Sequence, residues 1–305
     1  MYEYLLESNT FLHLTDGPDQ AYDPMWSPHG QWIVHAAART FGTGAGISVS
    51  GFFAARPDGS GVISLYDPSE YSGGEQGIGW LNDHTLVAHS WFITCGPSDL
   101  RLVDLTAQKA DRIFEGCLSA AAAGWGSVLF AQSPDTASFD EYPRPGLFLI
   151  TEADRSPRLI SDADIREIVW MEGSGNYLAL AADNRLYEVS PSGGIRVLLE
   201  NQFPIPTVSP DARYWALSDS DYFDSPRGVW IGEYGQALRQ VFTENISPNQ
   251  ILFMPPGNIV YFLDAAGNLY YALAPEWVPV LITANLQPAS SELSMALVLN
   301  DKWVF

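Results

Sequence analysis

The chain is poor in cationic side chains, and this shortage excludes two classes of partner. Its 305 residues include two lysines, Lys109 and Lys302, and only 15 Lys and Arg in total against 36 Asp and Glu, which gives a formal net charge of −21. Duplex nucleic acid and anionic membrane surfaces both require clustered Lys and Arg, so neither is expected as a partner. The negative charge favours basic protein surfaces and cations as partners. The alternative is that it only keeps a large β protein soluble.

The chain also lacks long apolar runs and a secretory leader. No stretch approaches the roughly 18 apolar residues of a membrane span, so no membrane insertion is predicted. The segment Met1–Glu7 has neither the basic start nor the apolar run of a signal peptide. If the chain is full length, this predicts a cytoplasmic protein. If the chain is a processed form, an extracytoplasmic location is expected, so the location stays open.

Helical periodicity is absent, and a repeat takes its place. No segment has a sustained apolar period of 3.6 residues. Instead, two apolar runs joined by a polar turn, as in Trp26–His35, are followed by two more joined by a turn rich in Gly, Asp and Ser, as in Phe52–Leu65. Four short strands per unit, recurring about every 45 residues, are typical of a β-propeller blade.

The copies predict a seven-bladed β-propeller that forms one domain over residues 1–305. The first strands are anchored at Trp26, Trp80, Trp125, Trp170, Val208, Phe253 and Leu297. Six complete copies leave an outer pair of strands at Tyr2–Leu14 and an inner pair at Met295–Phe305. Together these would close a last blade from both ends and remove unpaired sheet edges. The alternative is a six-bladed propeller with two unpaired ends.

Two of the turns carry a recognisable motif. Leu14–Gly17 followed by Trp26–Gly30 resembles the TolB-like (WD40-like, PD40) propeller repeat, with its LTDG-type end and WSPDG-type turn, and Val208–Ala212 echoes the turn. The first copy departs from the family at His29, where Asp is usual. The motif is structural, because Pro presets φ and Gly accepts a positive φ. The resemblance implies a scaffold used in envelope protein interactions, peptidase gating or cleavage of pectin fragments, and it transfers no catalytic residue.

Long connections between second and third strands predict a binding face. The long connections are Arg39–Ser50, Ser90–Asp99, Gln132–Gly146 and Ser218–Gly228. Their aromatic residues are Phe41, Trp91, Phe92, Phe139, Tyr142, Tyr222 and Phe223. Long loops on a rigid scaffold concentrate binding residues, and aromatic side chains dominate interface hot spots. We therefore expect a loop-rich, acidic and aromatic face. The alternative is that these rings pack back onto their own loops.

Carboxylates and histidines suggest metal ligands without completing a motif. Asp219, Asp221 and Asp224 place three carboxylates in one loop, which predicts a calcium site or, alternatively, solvated turn residues. No other cofactor is expected. His35 and His89 occupy similar positions on second strands, so both would approach the same face. The resemblance implies that pectin-fragment lyases use several histidines around one metal, and two fall short of that number.

The two cysteines leave the redox compartment open. In a propeller, second-to-third strand loops and blade-to-blade connections emerge on one face. Cys95 lies in a loop of the first kind and Cys117 in a connection of the second kind. They form either a disulfide, which would indicate an oxidising compartment, or two separate thiols.

These observations favour a non-catalytic scaffold over an enzyme. We expect the loop-rich face to bind a protein or peptide, with a basic partner favoured by the charge. The chain would act as a monomer or as part of a hetero-complex. The alternative is a metal-dependent lyase or hydrolase acting on a sugar or small molecule at the mouth of the central channel. A third possibility is a receptor for a small sugar or peptide, with Trp91 and Tyr222 as stacking platforms.

Overall fold

A computed structural model describes the chain in segments, and beside some gaps it describes only the backbone. The residues outside the described segments are 1, 6–9, 14–19, 41–46, 66–73, 92–97, 117, 133–145, 201–204, 220–227, 245, 255, 265, 284–296, 300–301 and 305. All regular structure in the described segments is β, and they contain no helix. A helix suited to spanning a membrane is accordingly not found among the described residues.

The strands form six four-stranded antiparallel sheets and two hairpins. The first hairpin is β1 (Tyr2–Leu5) and β2 (Thr10–His13). Sheet 1 is β3 (Gln20–Trp26), β4 (Ile33–Thr40), β5 (Ile47–Ala55) and β6 (Ile63–Ser64). Sheet 2 is β7 (Gly74–Trp80), β8 (Thr85–Trp91), β9 (Ser98–Asp104) and β10 (Lys109–Gly116). Sheet 3 is β11 (Leu118–Gly124), β12 (Ser127–Gln132), β13 (Gly146–Thr151) and β14 (Arg158–Ser161).

The second half of the chain continues the same series. Sheet 4 is β15 (Ile165–Met171), β16 (Asn176–Ala181), β17 (Leu186–Val189) and β18 (Ile195–Leu199). Sheet 5 is β19 (Thr207–Val208), β20 (Tyr214–Asp219), β21 (Gly228–Glu233) and β22 (Arg239–Phe242). Sheet 6 is β23 (Ile246–Met254), β24 (Ile259–Asp264), β25 (Leu269–Leu273) and β26 (Val280–Thr283). The last hairpin is β27 (Leu297–Leu299) and β28 (Lys302–Val304).

Each sheet is built from four consecutive strands, so every pairing within it is local along the chain. This confirms the predicted repeat of four short strands, and six sheets account for six blades. The prediction that Trp125 lies in a first strand is wrong by one residue. β11 ends at Gly124, and Trp125 opens the two-residue turn to β12. Gly126 gives this turn its tightness, since its φ of +72° favours glycine.

The two motif turns have the same hydrogen-bond pattern. Ser27 Oγ accepts a hydrogen bond from Trp32 N at 3.0 Å, and Ser209 Oγ accepts one from Tyr214 N at 2.9 Å. Gly30 adopts a φ of +65° within the first turn. The serine therefore satisfies a backbone N–H at the start of the second strand, as a structural motif should.

The chain divides into two compact units, and the boundary passes through sheet 4. The first unit contains residues 1–170, 181–183 and 189–195, and the second contains residues 171–180, 184–188 and 196–305. The prediction of a single domain over the whole chain stays a prediction.

Within the first unit, sheet 2 has a core on each side. Leu86 and Ala88 on β8 belong to the cluster shared with sheet 1, whereas Val87 belongs to the cluster shared with sheet 3. Successive side chains of a strand point to opposite faces, so this alternation buries both faces of the sheet.

Within the second unit, sheets 5 and 6 share a core of their own. Ala216 and Ile231 of sheet 5 pack with Val260 and Phe262 of sheet 6, and all four side chains are fully buried.

Candidate functional site

Most of the predicted site residues lie outside the described residues. They are Phe41, Phe92, Phe139, Tyr142, Tyr222, Phe223, Asp221, Asp224, Cys95 and Cys117. Trp91 and Asp219 are described by their backbone alone, as the last residues of β8 and β20. The aromatic face, the calcium site and the disulfide therefore stay predictions.

A polar gap lies between sheets 2 and 3, at the end where their long loops attach. We define it by His89 near the end of β8, Gln132 at the end of β12 and Gly116 at the end of β10. Alternation places His89 on the face of Val87 and Gln132 on the face of Phe130, both of which belong to the core between these sheets. A Cβ on Gly116 would lie 3.6 Å from Gln132 Nε2. Both polar side chains therefore enter the same gap.

The polar atoms of this gap have no hydrogen-bond partner among the described residues. Gln132 is 0% exposed, and both its Oε1 and Nε2 are unpaired, as is the buried Nε2 of His89. Phe130 lies against Phe114 and Phe148 in the same core, with ring centroids 4.7 and 5.4 Å apart. Each buried polar group left unpaired costs about 1–3 kcal/mol, so these groups require an explanation.

Another buried polar group in the protein shows the contrasting, satisfied case. Glu188 on β17 accepts hydrogen bonds from Arg196 Nε at 2.5 Å and Tyr234 Oη at 2.7 Å. Burial, the largest single influence, raises the pKa of Glu188, but these hydrogen bonds and the arginine charge together outweigh it and lower the pKa. Burial and the neighbouring Glu188 raise the pKa of Tyr234. This network joins β17 and β18 to the turn after β21, and both carboxylate oxygens of Glu188 have a partner.

Charged side chains lie on the face of sheet 2 that points away from the polar gap. The buried Asp99 carboxylate accepts from Arg101 Nε at 2.9 Å. Arg112 Nη1 donates to Glu115 Oε2 at 2.8 Å, and Arg112 Nε lies 4.0 Å from Asp99. Burial lowers the pKa of His89, although the Asp99 charge opposes this. His89 pairs with Leu100, whereas Arg112 pairs with Arg101 and Arg101 with Ala88, so the Arg112 side chain lies on the opposite face of sheet 2 from the imidazole.

The structure does not bring the two predicted histidines together. Val34 and Ala36 face the core between sheets 1 and 2, so His35 lies on the opposite face of sheet 1. Its ring stacks on Phe53 with centroids 5.7 Å apart, its Nδ1 is unpaired among the described residues, and burial lowers its pKa. His89 faces sheet 3 instead. Among the described residues, no group of three His, Cys, Asp or Glu side chains is placed to hold a metal ion.

At the opposite end of sheets 1, 2 and 3, the turns between first and second strands meet in an exposed group. We name His29, Asp83 and Trp125 the turn cluster. Trp125 is 50% exposed. His29 Nδ1 hydrogen-bonds to Asp83 Oδ1, and the His29 ring lies edge-on to Trp125 with centroids 6.2 Å apart. Sequence reasoning missed this group because it followed loop length. The signals were the departure at His29 and a tryptophan in a two-residue turn.

The second unit has an open cavity of about 400 Å³ between sheets 5 and 6. Tyr214 and Trp277 line it, with their rings edge to face at 5.1 Å. Arg239 is also part of the lining, but its Nη2 already donates to Pro275 O at 2.9 Å and Glu276 O at 2.8 Å. The lining combines polar and apolar groups, and its one cation serves the turn after β25.

Comparison with solved structures identifies the fold as a β-propeller. An oligogalacturonate lyase in complex with manganese matches with a TM-score of 0.60 and 15% identity, over 94% of this chain and 83% of that one. A prolyl endopeptidase matches with a TM-score of 0.63 and 11% identity, over 93% of this chain and 45% of that one. The β-propeller domain of the Trilobed protease from Pyrococcus furiosus matches with a TM-score of 0.50 and 10% identity, over 87% and 84%.

No family model matches the chain, and no curated protein matches it. At the identities of the structural matches, the likeness concerns the fold.

Proposed function

We propose that this protein is a β-propeller enzyme of the lyase or hydrolase kind, acting on an acidic sugar at the polar gap. The observation that carries the proposal is the buried amide of Gln132, which, like the Nε2 of His89, has no hydrogen-bond partner among the described residues. Native proteins rarely leave such groups without a partner, and a polar ligand would supply one. A propeller of similar architecture, an oligogalacturonate lyase, acts on an acidic sugar and resembles this chain over 94% of its length.

The groups around the gap suit the chemistry of such a ligand. The Gln132 amide offers both donors and an acceptor to sugar hydroxyls. The imidazole of His89 adds a further acceptor. These groups suit a ligand with many hydroxyls over an apolar one. The acidic character of the proposed sugar is taken from the oligogalacturonate lyase that this chain resembles.

His89 would act as the base. Burial lowers its pKa, so its imidazole is neutral near pH 7 and can take a proton. In a lyase reaction, His89 removes the proton from the carbon next to the sugar carboxyl group. The C–O bond to the leaving sugar then breaks as a C=C bond forms, and the leaving oxygen takes a proton from solvent. In a hydrolase reaction, the same base takes a proton from the attacking water.

The residues of the gap do not by themselves make a metal site. His89 Nε2 and Gln132 Oε1 are two donor atoms, but the described residues provide no set of three His, Cys, Asp or Glu ligands. The manganese of the matching lyase therefore has no complete set of counterparts in the part of the chain that the structure describes. The reaction proposed above takes no step through a metal. The dependence of cleavage on added Mn²⁺ or Ca²⁺ is measured in the experiment below.

The replacement Gln132→Met tests the proposal, since it keeps the length of the side chain and removes the polar atoms. We expect wild-type protein to cleave oligogalacturonate, measured by ultraviolet absorbance of an unsaturated product or by new reducing ends. Gln132→Met should lower the rate at least about a hundredfold. Its free energy of unfolding should stay unchanged or rise, because the variant removes an unpaired buried amide. Gln236→Met, an exposed glutamine in the second unit, is the matched control.

Two results would overturn this function. One is the absence of cleavage of any oligouronide, with or without prior incubation with Mn²⁺ or Ca²⁺. The other is a strong loss of stability in Gln132→Met, which would give the amide a structural role. The scaffold that binds a protein or peptide through the loop-rich face would then be the better reading.

We also propose that the two hairpins, β1–β2 and β27–β28, together form a seventh blade of TolB-like type. Each hairpin has two strands, which is half a blade. The face of sheet 1 that points away from sheet 2 is buried, with Ile33 1% and Ala55 0% exposed, as expected if a blade covers it. The shared hydrogen bonding of the Ser27 and Ser209 turns supports the TolB-like repeat.

Truncation of either hairpin tests the seventh blade. Deleting residues 1–13 or residues 297–305 should each lower the melting temperature, and deleting both should lower it no further than the worse single deletion. Sites that act through one shared structure are not additive. Additive losses, or no loss from either truncation, would support six blades.

A further inference from the structure

We infer that the turn cluster is a second binding site, which takes the guanidinium group of an arginine-containing peptide. This site lies at the other end of sheets 1, 2 and 3 from the polar gap, and it does not depend on the function proposed above. Four observations support it: a side chain released from its turn, a fixed scaffold, one exposed indole and an excess of acceptors.

The described side-chain contacts of His29 lie outside its own turn. At the equivalent position of the sheet 5 turn, Asp211 accepts hydrogen bonds from Ser209 Oγ at 2.7 Å and from Arg213 N at 3.2 Å. In the sheet 1 turn, Ser27 Oγ satisfies the backbone without help from residue 29. His29 instead reaches across to Asp83 on the next sheet. A contact between sheets thus replaces a local turn contact.

Backbone hydrogen bonds fix the neighbouring turns that carry this cluster. Gly126 N donates to Leu81 O at 2.8 Å, which ties the sheet 3 turn to the sheet 2 turn. Glu152 N donates to Gly126 O at 2.8 Å, and Asn82 Nδ2 donates to Glu152 Oε1 at 2.6 Å. Trp125 and Asp83 are therefore held at a set separation. A site that is already ordered loses little entropy when a ligand binds.

The indole of the cluster is exposed where the fold does not require it. Trp32 and Trp80, on the neighbouring sheets, are 6% and 8% exposed, whereas Trp125 is 50% exposed. The turn at Trp125 depends on the positive φ of Gly126, so residue 125 itself has no conformational requirement. Exposed indole faces attract cations, and tryptophan does so better than the other aromatic residues.

The polar atoms at the cluster are mostly acceptors. The carboxylates of Asp83 and Glu152 belong to the turns of sheets 2 and 3, and His29 Nδ1 faces Asp83, so its Nε2 faces away. A net charge of −21 further favours the approach of cations. Acceptors beside flat apolar rings complement a group that is planar, cationic and rich in N–H donors, and guanidinium has all three properties.

The chain itself contains an example of this pairing beside the cluster. The Arg56 guanidinium carbon lies 3.7 Å from the centroid of the Trp32 ring, and Arg56 Nη1 donates to Gln31 O at 3.2 Å. An arginine thus already combines an indole face and a turn acceptor on sheet 1. The turn cluster offers the same two elements with the cation supplied from outside.

Calorimetric titration with two peptides tests the inference. The probe is acetyl-Gly-Arg-Gly-amide, and its control is the peptide with citrulline in place of arginine, which keeps the shape and loses the charge. We expect the arginine peptide to bind at least about tenfold more tightly. Trp125→Ala should weaken its binding about three- to fivefold, and Trp125→Phe should weaken it less. Asp83→Asn should weaken binding at least as much as Trp125→Ala.

Glu172→Gln is the matched control for charge. It removes one exposed carboxylate on the turn after β15, and so changes the net charge as Asp83→Asn does. Equal weakening by both variants would reveal general attraction to an acidic protein and overturn the site. Equal binding of the two peptides, or wild-type binding by Trp125→Ala, would overturn it as well. Melting temperatures confirm that each variant is folded. Loss of sugar cleavage in Gln132→Met leaves this test unaffected.

Discussion

Two buried histidines make the folding stability of this protein depend on pH. Burial lowers the pKa of His35 and of His89, so each stays neutral in the folded state at a pH where it is protonated in the unfolded chain. The unfolded state therefore binds more protons below about pH 6.5, the ordinary value for histidine. The stability that the neutral histidines allow is present above that pH and is lost as the pH falls.

The variant His35→Gln should flatten this dependence. We expect the free energy of unfolding of wild-type protein, measured by urea denaturation, to fall between pH 7.5 and pH 5.5. His35→Gln should fall less, and His35→Gln with His89→Gln should fall least. Parallel curves for wild type and both variants would show that other groups dominate the acid response.

Residue-scale features were predictable where their cause is local. The Ser27 turn follows from its own sequence, since serine, proline and glycine each favour one part of the turn. The partner of His29 did not follow, because Asp83 is 54 positions away and only the packing of two sheets brings it near. Gln132 gave no signal either, since one polar residue at the start of a long loop looks like many others. Its unpaired amide exists only in the packed state.

At the scale of the element, glycines set how closely neighbouring strands approach. Gly124 on β11 lies against the Trp170 ring, and a Cβ there would overlap that ring. Gly77 on β7 has room, since a Cβ there would lie 3.5 Å from its nearest neighbours. Both are on first strands of the first unit, which makes them a matched pair.

Gly124→Ala should therefore destabilise the protein by about 1–3 kcal/mol, as overpacking does. Gly77→Ala should change the free energy of unfolding by less than about 1 kcal/mol, because the added methyl group makes ordinary van der Waals contacts and introduces no strain. Denaturant unfolding of the two variants measures both values. Equal effects would mean that the Trp170 ring moves aside without cost.

The strands themselves were largely predictable from sequence. Trp26–His35 was expected to hold two strands joined by a turn, and it connects β3 to β4, just as Phe52–Leu65 connects β5 to β6. Alternating apolar residues between turn signals carry this information locally. The error at Trp125 has a physical reason, because a two-residue turn needs only one suitable glycine and leaves an aromatic residue free to stand outside the strand.

At the scale of the whole molecule, the net charge of −21 acts on stability through self-repulsion. Raising NaCl from about 10 mM to about 300 mM shortens the distance over which like charges repel each other, from tens of ångströms to several ångströms. We expect the melting temperature to rise by several degrees over this range, measured by differential scanning calorimetry. A flat or falling melting temperature would show that local ion pairs offset the excess charge.

The whole-molecule prediction from sequence succeeded for architecture and stopped short of chemistry. A repeat of four strands specifies a blade, and six sheets of four strands are observed. The proposed functions depend on positions where the copies differ, such as His29 and Gln132, and the repeat carries no information about these.

Because every sheet is made of four consecutive strands, the order of synthesis can be the order of folding. Each sheet is complete about 45 residues after the one before it, so during translation it can pair its strands without waiting for distant parts of the chain. The two hairpins are the exception if they share a blade, since β1–β2 would wait until β27–β28 had been synthesised. A segment made before all six sheets would then complete its blade after them.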